Sequence, residues 1–269
     1  MAVSLRYWIN LCLTQAKITL MIDMQYRMGI VLHVLSRVIE PLIYLSVWTT
    51  IAQENTIAGY DQSTFTAYFI VLMIVREQTT VGAMLKYDMR IRRGTLSDFL
   101  QRPVSLVLWD AIDNLVIRSI TGLIVVCTAV LLAIIFRAYF ETPLWSVVLF
   151  PLALALAWMT SFVIDYALGM IVFWTHSITA LRAILTTVTV LFAGRLAPLD
   201  IMPPLFQTIA NALPFRWILA FPTELAIGKL TLTETLIGFA MQLLWIITGF
   251  IGLHFLWNAG IHRYSAVGG

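Results

Sequence analysis

The chain has 269 residues, of which 60% are hydrophobic and only 12% charged, with a mean hydropathy of +0.89 and a formal net charge of +3. Soluble domains carry about a quarter charged residues, so the composition excludes one and defines an all-α polytopic integral membrane protein whose surroundings are membrane lipid. The positive excess falls largely in short connections between apolar runs, where it reports orientation and points to no nucleic acid.

No apolar core precedes a small-residue cleavage site at the N-terminus, so no signal peptide is expected. Residues 1–27 read instead as an amphipathic helix on the inner interface. Leu5, Trp8, Ile9, Cys12, Leu13, Ala16 and Leu20 share one face, and Arg6, Asn10, Thr14 and Lys17 the opposite one. Six apolar segments follow, each near the roughly 20 residues a span requires. They are predicted at Met28–Ala52, Thr64–Leu85, Ile112–Phe136, Leu144–Phe173, Ile178–Ala197 and Leu236–Trp257.

The connection after the second segment, residues 86–106, holds Lys86, Arg90, Arg92, Arg93 and Arg102, whereas the connection before it, Gln53–Ser63, has no Lys or Arg. Short basic connections stay inside, so this one is predicted to be cytoplasmic, and both termini with it. Arg182 and Arg263 fall on the same side; Arg137, Arg195, Arg216 and Lys229 fall outside, so the rule holds as a bias. Within the basic connection, Thr95 and Asp98 have the spacing of a capping box. Leu96, Phe99 and Leu100 then share one helical face until Pro103 stops the turn. Such an apolar ridge in water needs a partner.

Residues 194–235 are apolar yet broken by Pro198, Pro203, Pro204, Pro214 and Pro222, so they cannot form one continuous helix. They are predicted to dip back into the outer leaflet as a re-entrant hairpin before the sixth span, at the outer mouth of a pathway.

Charges inside the spans are informative because each costs about 2.5 to 3.5 kcal/mol at a helix centre on insertion scales. Arg37 and Glu40 share a face of the first span, and Arg76 and Glu77 lie in the second. Counted from the cytoplasmic ends, Arg37 is about 9 and Arg76 about 10 residues deep, which places opposite charges at one level, with Asp165 in the fourth span at a similar depth.

Catalytic and metal motifs are not found. Gly228-Lys229 is followed by Leu230 where a phosphate-binding loop requires Ser or Thr. His33, His176, His254 and His262 are scattered, and Cys12 and Cys127 stand alone, so no metal site is expected. Asp110, Asp113 and Asn114 at the start of the third span faintly resemble an acidic Mg-binding pair; the reading preferred is that they complement the helix dipole.

In its order of elements the chain resembles the ABC-2 type permeases of ATP-binding-cassette exporters. Gly94-x-Leu96-x-x-x-Leu100-x-x-Pro103 is similar to that family's ATPase-coupling segment, in which Thr95, Asp98 and Phe99 also fall. Gly194, Pro198-Leu199, Pro203, Leu213-Pro214-Phe215 and Pro222 are similar to its outer hairpin, with Arg195 an unusually charged neighbour at the gate. The resemblance implies one transmembrane domain over residues 1–269 and no catalytic residue. It further implies a second, identical or similar permease subunit, and two separate ATPase subunits that hold the ATP and Mg. The solute expected is hydrophobic or amphipathic. Two other readings stand beside it: a permease for lipid-linked glycans, and an intramembrane prenyl- or acyltransferase built on Asp110, Asp113 and His176.

Overall fold

The computed structural model of the protein describes residues 5–52, 56–101, 105–175 and 178–262, with side chains except at 5–8, 23 and 27. The described chain is helical: α1 (Leu5–Gln25), α2 (Arg27–Ile51), α3 (Gln62–Thr79), α4 (Ala83–Arg92), α5 (Leu96–Leu100), α6 (Leu106–Ile135), α7 (Leu144–Gly169), α8 (Thr179–Phe192), α9 (Pro204–Ala212), α10 (Pro214–Ile218), α11 (Ala220–Ala226) and α12 (Leu232–Ile261). Two 3₁₀ turns, Met170–Phe173 and Leu199–Ile201, interrupt the order.

Among the described residues, five stretches are long and apolar enough to cross a membrane: Met28–Ile51, Gln62–Arg92, Leu106–Ile135, Leu144–Phe173 and Leu232–Ile261. They coincide with the expected first, second, third, fourth and sixth spans. The expected fifth holds only α8, whose 14 residues rise about 21 Å, short of a hydrocarbon core of about 30 Å. Gly194, at φ +76°, ends that helix geometry, and the carbonyl of Gly194 accepts a hydrogen bond from the Tyr68 hydroxyl at 2.8 Å.

Helix α3 sits at the centre of the bundle, packed by α2, α6, α7 and α11, and almost every residue from Phe65 to Val75 is buried. Lipid tails are as apolar as leucine, so apolar burial alone does not draw such helices together; tight packing and internal hydrogen bonds do. Tyr60, Phe65, Tyr68 and Phe69 interlock with ring centres 5.3 to 6.2 Å apart. Helices α7 and α12 run side by side in the same direction, Ala153 beside Gln242, Val163 beside Gly249 and Phe173 beside Gly260. A Cβ at Gly249 would stand 2.8 Å from Val163 Cγ1, so the small residue is what allows the approach.

The second of these stretches, Gln62–Arg92, is broken at residues 80–82. On one side of the break the Asn114 amide of α6 donates to the carbonyls of Thr80 and Val81, at 3.2 and 3.0 Å, and is itself held by the Trp158 indole N–H at 2.8 Å. On the other, the Asp165 carboxylate of α7 accepts from the Met84 N–H at 3.2 Å. Side chains of two neighbouring helices thus satisfy backbone groups that the break leaves open.

Helix α4 ends in a Schellman closure, with Thr95 N–H on Arg90 O at 3.0 Å, Gly94 N–H on Ile91 O at 3.1 Å and Gly94 at φ +68°. That closure takes the place of the expected capping box: Thr95 makes no side-chain cap to α5, and Asp98 is exposed. The expected ridge is also largely turned inward. Leu96 is fully buried with Tyr87, Leu106 and Phe162, and Phe99 is half-buried with the Arg90 guanidinium 4.3 Å from its ring centre, which leaves Leu100 as the outward member at 40% exposure. Arg102, Pro103, His176 and Arg263 lie outside the described residues.

The dipole reading of Asp110 and Asp113 is corrected. Helix α6 begins at Leu106 and is capped by Ser105, whose hydroxyl accepts from Leu108 N–H at 3.3 Å, so the carboxylates stand beyond its first turn. Asp110 takes both Arg90 amino groups at 2.6 and 2.7 Å and the Tyr166 hydroxyl at 3.1 Å. Asp113 takes the Gln15 amide at 2.6 Å and the Thr19 hydroxyl at 2.5 Å, and Lys86 lies 3.6 Å from both acids. These bonds fasten α1 and α4 to α6. Ile9, Leu13 and Leu20 of α1 accordingly stay exposed, while Gln15 faces the protein.

Candidate functional site

The proline-broken segment leaves one end of the bundle and returns to it. Asp200 accepts from the Tyr60 hydroxyl at 3.1 Å near the start of α3, and Lys229 donates to Gly59 O at 2.7 Å at the same end. Between them the chain reaches inward to Trp217, whose carbonyl accepts from Gln242 Nε2 at 2.9 Å, ten residues into α12. Each proline sits where a missing N–H costs least. Pro198 and Pro203 precede the 3₁₀ turn and α9, Pro214 opens α10, and Pro222 lies in the first turn of α11. The exposed backbone of the turns is covered by protein: Trp48 Nε1 donates to Leu196 O at 2.8 Å, Thr142 to Ala226 O at 2.9 Å and Ser146 to Leu225 O.

Beside this segment lies the charge cluster. Glu77 is fully buried; its Oε1 accepts from Arg118 and, at 2.5 Å, from the Thr121 hydroxyl, while its Oε2 lies 3.3 Å from His33 Nε2 and 3.5 Å from Arg37 Nε. Glu40 divides its oxygens between Arg76 at 2.8 Å and Arg195 at 2.6 Å. The four charges matched by depth are thus brought together across α2 and α3. Asp165 is not among them, because its carboxylate is occupied at the start of α4.

Arg195, expected at the outer gate, places its guanidinium on Glu40 of α2. Arg118, His33 and Thr121 were not singled out from the sequence. Arg118 could have been, since it is a lone cation within an otherwise apolar run and carries the same insertion cost as Arg37. His33 and Thr121 carry no such mark; their role depends on the packing of α2 and α6 against α3.

Arg37, Arg76, Asp165, Arg182, Arg195 and Phe215 line a half-open cavity of about 330 Å³ between α2, α3, α7, α8 and the proline-broken segment. Among the described residues no group of three or more His, Cys, Asp or Glu is arranged to hold a metal ion.

A helical membrane bundle with a proline-broken segment packed against a charged cavity has the architecture of a transport protein's membrane domain. The chain matches the family model of the ABC-2 family transporter protein over residues 18–268, and so belongs to the ABC-2 transporter family, whose members are the membrane subunits of ABC transporters. No curated protein matches it.

Proposed function

We propose that the chain is the permease subunit of an ATP-binding-cassette exporter, moving a hydrophobic or amphipathic solute outward across the cytoplasmic membrane. ATP and Mg are bound and consumed on a separate ATPase, two copies of which rest on the α4–α5 end. The chain crosses six times with both termini inside, α8 and the Leu199–Ile201 turn together making the fifth crossing. The observation that carries this reading is family membership over residues 18–268.

Other features support it. Helix α8 buries none of its residues and Met28–Ile51 buries few, which leaves both free to face a second, identical or similar permease subunit across a shared path. Asp110 and Asp113, the acids a transferase would need, are committed to Arg90, Lys86, Gln15 and Thr19. The test is gentle purification of the tagged subunit and identification of what accompanies it, with an ATPase subunit the expected companion. Leu100→Asp should lose that companion while the permease still inserts, because a carboxylate would be desolvated at the contact. Retention of the ATPase at the wild-type ratio would overturn the assignment of α5.

A further inference from the structure

The charge cluster is not balanced. Arg37, Arg76, Arg118 and Arg195 share two carboxylates, Glu40 and Glu77. Their side chains are 19%, 12%, 9% and 11% exposed, so two surplus guanidinium charges are held in the interior of a membrane bundle. The Nε atoms of Arg118 and Arg195 are buried with no hydrogen-bond partner among the described residues, and Arg37 Nε has only the 3.5 Å ion pair to Glu77. Asp165, which accepts from the Met84 N–H and keeps its own charge, lines the same cavity and offsets one cation there. Arg182 on α8 adds another cation to the cavity wall and has no ion pair among the described residues. A cation buried without an anion is costly, and three of these arginines face one cavity, so the arrangement has the form of a site awaiting negative charge. The rest of the wall is mixed, with the hydroxyls of Thr79, Thr80, Ser161, Thr186 and Thr189 beside an apolar side that includes Ile164, Leu185 and Leu219.

We propose that this cavity binds the anionic headgroup of the transported amphiphile, a carboxylate or phosphate-type oxyanion, with the attached hydrocarbon on the apolar wall. Guanidinium forks suit planar and tetrahedral oxyanions through paired N–H donors. The assignment rests on the permease reading and adds the class of substrate to it.

A merely structural ion-pair lattice and an anion site respond oppositely to one substitution. Arg195→Gln leaves Glu40 paired with Arg76 at 2.8 Å and removes one surplus charge. A lattice would lose stability; an empty anion site would not. The experiment follows thermal unfolding of the full-length subunit in nanodiscs of zwitterionic lipid, titrated with lysophosphatidate, with the monoacylglycerol of the same chain, or with inorganic phosphate. Lysophosphatidate should raise the unfolding temperature saturably, and the other two should not at equal concentration. Arg195→Gln should unfold no lower than the wild type yet bind lysophosphatidate about tenfold or more weakly, the loss of one charged hydrogen bond. Arg182→Gln, a change at an exposed position, supplies a second variant and should weaken binding with unchanged stability.

Equal stabilisation by the monoacylglycerol, or by inorganic phosphate alone, would overturn the proposal, as would an Arg195→Gln protein that is destabilised and binds as before. None of these readouts involves an ATPase. Failure here therefore leaves the permease assignment standing, and failure to recover an ATPase partner leaves this binding result standing.

Discussion

Arg195 and Glu40, 155 residues apart in sequence, meet at 2.6 Å and bring the start of the proline-broken segment against the second helix, where Glu40 also holds Arg76. Glu40 is 30% exposed at its side chain, whereas Glu77 is fully buried and holds Arg118, Arg37 and Thr121. Glu77→Gln is therefore expected to destabilise strongly, by about 3–5 kcal/mol, because it strands buried cations, and Glu40→Gln to cost clearly less. Unfolding midpoints of the purified variants check the order. The exchange Arg37→Glu with Glu77→Arg should not restore the wild-type level, since the new arginine would face Arg118; full recovery would show that Arg118 is not bound to Glu77.

Leu96 and Leu100 occupy one five-residue helix but opposite environments. Leu96→Ala empties a fully buried position among Tyr87, Leu106 and Phe162, and should cost about 2–5 kcal/mol in the permease itself. Leu100→Ala, at an exposed position, should change unfolding by no more than about 0.5 kcal/mol. Equal effects of the two would mean that the helix is rotated from the orientation described.

Thr208 is exposed on α9, between Asp200 and Trp217. In a variant whose native Cys12 and Cys127 are replaced by alanine, Thr208→Cys should react with an impermeant maleimide from outside whole cells. Labelling from the cytoplasmic side of inverted vesicles alone would refute the re-entrant course of the chain.

Asp61 caps α3, accepting the Thr64 N–H at 2.7 Å and its hydroxyl at 2.6 Å, and these bonds hold its carboxyl below the usual carboxylate range. A depressed pKa contributes stability above the unfolded value, about 3.9, and loses it as pH falls through the folded one. Asp61→Ala should therefore cost about 1 kcal/mol at neutral pH, a deficit that narrows as the pH is lowered through and below the carboxylate range. A deficit independent of pH in stability curves would exclude the charged cap.

Much of the layout is written in composition and breakers. The runs around Met28, Thr64, Ile112, Leu144 and Leu236 became long helices because an uninterrupted apolar stretch has few alternatives in lipid. The prolines from Pro198 to Pro222 marked the broken segment because each forbids an interior N–H bond. Matched depth brought Arg37, Glu40, Arg76 and Glu77 together. What depth does not encode is azimuth: whether Arg195 turns outward or back to Glu40, and whether Asp165 seeks a cation or a helix start, depends on which faces of the helices meet. The same holds for α5, where sequence gave Leu96, Phe99 and Leu100 a common face but not the direction in which it points. The local spacing of Thr95 and Asp98 was overridden by Gly94, whose left-handed backbone closed the preceding helix first.

The gap at residues 80–82 changes what α4 belongs to. A continuous rod from Gln62 to Arg92 would carry any displacement at its Arg92 tip straight into the buried centre of the bundle. Because Asn114 and Asp165 bind the two sides of the gap, and Asp110 grips Arg90, α4 is fastened to α6 and α7 as well as to the helix that precedes it in the chain. A push applied at Leu100 is thus shared with those two helices, and α3, with Arg76 and Glu77 at its lower end, is partly shielded from it.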